Sequence, residues 1–340
     1  MLIREAEEFR SWALCEFLCA ESVAAAADSA SRALELANLA LAVAGVVGGD
    51  LGPALQGYAW AFVGNARRVG NDLAAAARAF DESRRLWQAG PPADAAFLDG
   101  SRLLDLEASL QRDQRRLPEA LRLIERALAV SRPGEAMGRL LLNKAKILEE
   151  LADYDAAFDA LQQAAPLLEE AAEPRLALVL RFNLANLLCH LARAAEAEAM
   201  LPAVKLLAVR LGNDLDLVRL RWLEARVAAG QNRFEDAAAA FQQAREDFAT
   251  RQLPYDRALV TLELAALLAG RGRAAEVKEL ARRAAPVFVA LAIHPEAERA
   301  LEIFRAAAAE ERLSAELARR LVAYFYRAPH DEQLRFELVA

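Results

Sequence analysis

The sequence predicts an all-α chain built as a solenoid of stacked helical hairpins. Three observations carry that expectation. Small residues return about every 40 positions, at Ala76, Ala120, Ala157, Ala197 and Ala237, with Val277 closing the series. Helix breakers fall at matching intervals. The composition is 56% hydrophobic with much alanine, the best helix former, and no useful run alternates apolar and polar residues as a strand would. A long fixed period is the mark of units that bury their apolar faces only by stacking on their neighbours.

The elements follow in order from the breakers. An N-terminal hairpin covers about 3–27 and 29–44, and Gly48, Gly49, Gly52 and Pro53 end it. Hairpins then fall near 54–88, 96–131, 136–170, 175–210, 214–249 and 255–291. They are separated by Gly90-Pro91-Pro92, Pro133-Gly134, Pro174, Gly212, Pro254 and Pro295. A shorter turn divides each hairpin: Gly70-Asn71-Asp72, Asp113-Gln114-Arg115, Ala152-Asp153, Ala192-Arg193, Gly230-Gln231-Asn232 and Gly270-Arg271-Gly272. Glycine and Asn/Asp suit such turns because they tolerate left-handed backbone angles and cap helix ends. A last pair sits at 296–309 and 313–327, giving about sixteen helices. The expected organisation is a capping hairpin over 1–49, a repeat array over 50–291, and C-terminal capping helices with a tail over 292–340.

The bulk properties narrow the function. A net charge of −7, spread along the chain, offers no concentrated basic surface for nucleic acid. Of the 42 basic residues only Lys144, Lys146, Lys205 and Lys278 are lysine, a bias that a GC-rich genome explains. The start carries acid where a signal peptide needs base, and the longest apolar run, 39–47, is too short to cross a bilayer. Three cysteines make no disulfide framework. A cytoplasmic protein without membrane contact is expected, with no cofactor and no metal.

The repeat itself resembles the tetratricopeptide repeat. In that family a large residue opens helix A and a small one follows four positions later; a large residue then opens helix B, followed by alanine and an aromatic or aliphatic. Trp60, Gly64, Leu73, Ala76 and Phe80 stand in these roles. Later units repeat them with Ala108, Leu117, Ala120 and Ile124, then Ala145, Tyr154, Ala157 and Leu161, then Ala185, Ala197 and Leu201, then Ala225, Phe234, Ala237 and Phe241, and more weakly Ala265 and Val277. Small side chains let helices A and B cross closely, while the large residue fills the neighbouring groove. The likeness covers roughly 50–290. The period here is longer than the family's, its proline after helix B is displaced or missing, and Ser83 replaces an alanine. The longer helices are similar to repeat arrays of bacterial signalling proteins, including sensor halves of transcription activators and quorum-sensing peptide receptors. The sequence shows no helix-turn-helix and no GxxxxGK[ST] loop beside the array.

The resemblance implies a right-handed superhelix whose concave face, mainly helix A, binds a peptide or protein partner. In that register the inward residues are Tyr58, Asn65 and Arg68, then Arg102 and Arg112, then Arg139, Asn143 and Lys146, then Phe182, Asn183 and Asn186, then Arg219, Trp222 and Arg226. Asparagine can hold a peptide backbone by donating and accepting, and arginine matches a carboxylate with two bonds. An acidic segment or a free C-terminus is the implied ligand. The competing reading pairs these arginines with neighbours such as Asp105 or Glu149. A regulatory array acting on a partner encoded on another chain is the alternative function.

Catalysis finds little support. Cys15 and Cys19 lie four apart on one helix with no second pair in sequence, a spacing that reads as core. Cys189 and His190 are adjacent, so their side chains diverge by about 100° on a helix and make a poor nucleophile and base. His294 starts a helix turn and His330 sits in the tail. No Ser-His-Asp set or HExxH appears. The aromatic run Tyr324-Phe325-Tyr326 reads as a cap over the last repeat, with docking of a partner or a second copy through that edge as the alternative.

Overall fold

The structure is a computed structural model that describes residues 11–26, 29–89, 98–171, 173–290, 314–327 and 336. It is all-α: among the described residues there are fifteen α-helices, one short 3-10 turn and no strand. They are α1 (Trp12–Ala25), α2 (Ala30–Ala44), α3 (Leu51–Val69), α4 (Leu73–Ala89), α5 (Gly100–Asp113), α6 (Leu117–Val130), α7 (Glu135–Glu150), α8 (Tyr154–Ala164), α9 (Pro174–His190), α10 (Ala194–Leu211), α11 (Asp214–Gly230), α12 (Phe234–Thr250), α13 (Pro254–Ala269), α14 (Ala274–Ala290) and α15 (Ala315–Arg327). The expected helix at 296–309, His294 and His330 lie outside the described residues. Two compact units divide the chain, residues 1–147 and 148–340, with the boundary inside α7.

One turn recurs through both units. Asn71, Arg115, Ala152, Ala192, Asn232, Gln252 and Gly272 all sit in the left-handed region, at φ between 55° and 69°. At each, the next residue's N–H reaches back five positions, as Asp72 N–H does to Arg67 O at 2.9 Å and Arg193 N–H to Leu188 O at 2.8 Å. This is the Schellman closure, which satisfies carbonyls that the helix end would orphan. Four of the seven positions carry neither Gly nor Asn, so the tertiary packing of the hairpin holds Arg115, Ala152, Ala192 and Gln252 in a conformation their side chains disfavour. Asp72 and Asp153 then accept from Ala75 N–H and Ala156 N–H, at 3.0 and 3.2 Å, and cap the following helices.

The periodic small residues are the contact points. Ala76, Ala120, Ala157, Ala197 and Ala237 are fully buried, and Val277 is nearly so. In the first unit, a Cβ on Gly64 would lie 2.8 Å from the Phe80 ring, and one on Gly57 would lie 2.7 Å from Trp87 N and 2.9 Å from Ser83 O. Helices α3 and α4 therefore cross at a distance only glycine allows. Ser83 donates its Oγ–H to Gly57 O at 2.6 Å, which satisfies the one hydroxyl placed at an alanine site. Cys15 and Cys19 are core residues of α1; Cys15 Sγ donates to Ala40 O at 3.4 Å. In the second unit, a Cβ on Gly230 would lie 2.6 Å from Ala194 Cβ, tying α11 to α10.

Helix α15 closes the second unit. Ala318, Leu321, Tyr324 and Phe325 are buried in the same core as Leu259, Leu262 and Phe248. Tyr255 donates its O–H to Phe325 O at 3.1 Å. Tyr324 meets Phe325 and Phe336 edge-on, each at 5.4 Å between centroids. Burying Phe325 fully is worth about 1.5–3 kcal/mol, so these two aromatics shield the last repeat; the Tyr326 side chain is outside the described set.

Candidate functional site

In the second unit α9, α11 and α13, the starts of α8, α10 and α12 and the edge of α15 line an open cavity of about 790 Å³. Its apolar lining includes Phe234, Phe241, Leu267 and Val322, with Ala229 and Ala266 leaving room. Its polar lining is Tyr154, His190, Asn232, Arg226, Glu263, Arg271 and Arg319. Three arginines thus face one glutamate. The volume and the mix of apolar wall and few polar groups fall in the range of ligand sites.

One hydrogen-bonded chain runs behind this cavity. Asn186 donates to Glu149 Oε1 at 2.9 Å, and Arg226 donates to Asn186 Oδ1. Arg226 also binds Glu263 through two nitrogens, Nη2 to Oε1 at 2.7 Å and Nε to Oε2 at 3.0 Å. Trp222 Nε1–H donates to Glu263 Oε2 at 3.2 Å, and the Arg226 guanidinium lies 4.5 Å from the centre of the Trp222 ring. The four residues Glu149, Asn186, Arg226 and Glu263 come from α7, α9, α11 and α13 and are separated by 37, 40 and 37 positions. Asn186 and Arg226 are the same site in successive repeats, one position after Ala185 and Ala225, whereas Glu149 and Glu263 each stand three positions off that register, about a turn along their helices. Fork-to-fork geometry and cation–π stacking both favour arginine at the centre.

Elsewhere the predicted residues are engaged in the same way. In the first unit Arg68 donates to Asn65 Oδ1 at 2.9 Å and to Asp113 at 2.5 Å, and Arg112 reaches Asp113 at 3.2 Å. Arg102 and Asn143 both bind Asp105, at 2.7 and 2.5 Å. Arg139 pairs with Glu135 on its own helix at 3.1 Å. Tyr58 is buried with its ring 5.0 Å from Phe62 and 6.5 Å from Trp87; burial pushes its hydroxyl above the usual tyrosine range. Tyr58, Asn65, Asn186 and Trp222 are interior residues rather than groove lining. Packing explains this: helix A carries its wide apolar stripe far enough round that these large or amide side chains reach the core. Phe182 and Asn183 are half-buried, Lys146 and Arg219 exposed. Arg219 acts on Asp256, whose carboxyl is raised by burial against that pull. Of the fourteen residues, the cavity lining contains Arg226.

The cavity also holds residues that sequence reasoning assigned elsewhere. Tyr154 and Phe234 occupy the helix B opening position, a packing role, yet line the cavity. His190 stacks face to face on Tyr154, with centroids 4.6 Å apart and planes within 7°. The Arg271 guanidinium lies 5.0 Å from the centre of the Phe234 ring. Arg319 comes from α15, far away in sequence. The Cys189 thiol is pushed up to about 11 by burial, with Glu263 adding to the shift and Arg226 opposing it. A thiol so protonated is a poor nucleophile at neutral pH. Among the described residues, no group of three His, Cys, Asp or Glu side chains could hold a metal ion, and no helix is long and apolar enough to cross a membrane.

The chain matches no family model and no curated protein. It is similar to solved structures. A Rap protein complexed with competence and sporulation factor shares 11% identity over 93% of this chain and 96% of its own, at a TM-score of 0.64. Aspartyl phosphate phosphatase F from Bacillus subtilis shares 12% over 80% of this chain and 70% of its own, at 0.58. The apo form of RapI shares 12% over 91% and 98%, at 0.53. At these identities the likeness is one of fold: a tetratricopeptide-like array of helical hairpins.

Proposed function

We propose that this chain is a peptide- or protein-binding helical-repeat protein, and that the cavity of the second unit receives a segment of its partner. The observation that carries the reading is the cavity itself. It combines a pocket for a bulky apolar side chain, lined by Phe234, Phe241 and Leu267, with three arginines against one glutamate. That balance favours a ligand with a carboxylate, whether an acidic side chain or a free C-terminus. Arg271 and Arg319 are the groups assigned to it, Arg319 exchanging an exposed pair with Glu316 at 3.2 Å for the ligand. Arg226 is already bound by Glu263 and Asn186, so its role is to set the shape and charge of the floor. Asn183 and Phe182 are assigned to the ligand's flanking residues. The fold's likeness to a Rap protein solved with a bound factor supports binding. A second reading is that the bound segment controls a regulator on another chain.

The test is selection of short peptides from a random library, followed by binding to Ala323→Trp and Ala229→Trp. Both positions line the cavity; Ala323 is exposed and Ala229 packs against the core, so only variants that melt cooperatively near wild type are scored, with Ala323→Trp as the conservative arm. Selected peptides are expected to lose at least tenfold in affinity for both, and to lose affinity on C-terminal amidation or added salt. Peptides that bind both variants like wild type would refute the cavity as the site.

A further inference from the structure

We infer that a groove in the first unit, between the outer helices α4 and α6 on a floor of α5, binds an amphipathic anion of the fatty-carboxylate class. The groove has a volume of about 500 Å³. Its apolar end is made by Phe80, Trp87, Leu103, Leu104, Leu123 and Val130. The Trp87 ring lies against Gly100, where a Cβ would come within 3.1 Å of it. Val130 is 64% exposed, an unusual fraction for valine beside so much apolar surface. The groove then continues into a polar trough formed by Arg84, Glu107, Gln111, Glu119, Arg122 and Arg126.

The polar end sets Arg84, Arg122 and Arg126 against Asp81, Glu107 and Glu119, and the class of ligand turns on which of these arginines is left without a bonded carboxylate. Arg84 is taken by Asp81 and Glu107, and Arg122 by Glu119. Arg126 is exposed and acts on Glu107 through its field. An incoming carboxylate therefore meets a cation at the mouth while its tail covers Trp87, Leu103 and Val130. A cationic amphiphile meets Arg126 as a repulsion. A small amphiphile fits the groove whole.

The test is calorimetric titration of the full chain with decanoate below its micelle concentration, and with decyltrimethylammonium, which has the same tail and the opposite charge. The variants are Arg126→Glu, which alters an exposed charge, and Val130→Trp, which fills the apolar end from an exposed position. Saturable 1:1 binding of decanoate is expected, at least tenfold tighter than the cation. Arg126→Glu should reverse that preference, and Val130→Trp should weaken both. No saturable decanoate binding, equal binding of the two amphiphiles, or indifference to Arg126→Glu would each overturn the inference. The groove and the peptide cavity lie in different units, so either reading can fail without the other.

Discussion

Replacing Arg226 with methionine removes the centre of the chain that links α7, α9, α11 and α13. The side chains of Arg226 and Glu263 are only 15% and 10% exposed. Removing one partner of a buried ion pair costs about 3–5 kcal/mol, because the remaining charge stays in a poor solvent. Residual water access argues for the lower end, about 3 kcal/mol. For a unit of this size that is a fall in Tm of about 6–12 °C. Much of the cost is the stranded charge and not the lost bond, so the double variant Arg226→Met/Glu263→Gln should recover to within about 1.5 kcal/mol of wild type. Glutamine keeps an acceptor for Trp222 Nε1–H. Urea denaturation of wild type, both singles and the double, followed by circular dichroism, gives the coupling directly. A loss below about 1 kcal/mol for Arg226→Met, or a double variant no more stable than that single, would refute the reasoning that burial dominates this site.

Other perturbations test the packing and the chemistry. Gly57→Ala should destabilise by about 1–3 kcal/mol, because its new methyl would meet backbone atoms of Trp87 and Ser83 that lie 2.7 and 2.9 Å away; an unchanged urea midpoint would show that α3 and α4 separate freely. Ala192→Gly should stabilise by about 0.5 kcal/mol, since relief at φ 58° outweighs the extra unfolded-state entropy of glycine; a lower midpoint would count against the turn strain. The thiol of Cys189 has a pKa raised to about 11 from 9.0, so the native state holds its proton more tightly than the unfolded chain. Its contribution is fully present below pH 9 and is lost as pH rises to 11, by about 2–3 kcal/mol. Cys189→Ala should flatten that alkaline slope, and wild-type Cys189 should alkylate slowly at pH 8.

The sequence by itself determined the hairpins, their period and their turns. Each of those is local: a Schellman turn needs only a few residues, and Ala76, Ala120, Ala157, Ala197 and Ala237 mark the crossings wherever helices meet closely. Helix boundaries at Pro174, Asp214 and Pro254 fall within a residue of expectation because proline and capping groups act where they stand. The residues facing a ligand were less legible. Asn65, Asn186 and Trp222 have the right chemistry for a groove, but their burial depends on how far helix A rotates about its axis. One sequence does not encode that angle in any local signal. Glu263 illustrates the rest. Its partner Arg226 lies 37 residues back, three short of the 40-residue period that relates Arg226 to Asn186, so the period alone does not name the pair. Only the tertiary structure decided that Arg226 is bound within the protein, that Arg271 and Arg319 share one cavity, and that α15 folds against α13 to complete it. The physical reason is that ion pairs and cavities arise from side chains brought together by packing, whereas helices and turns arise from neighbours along the chain.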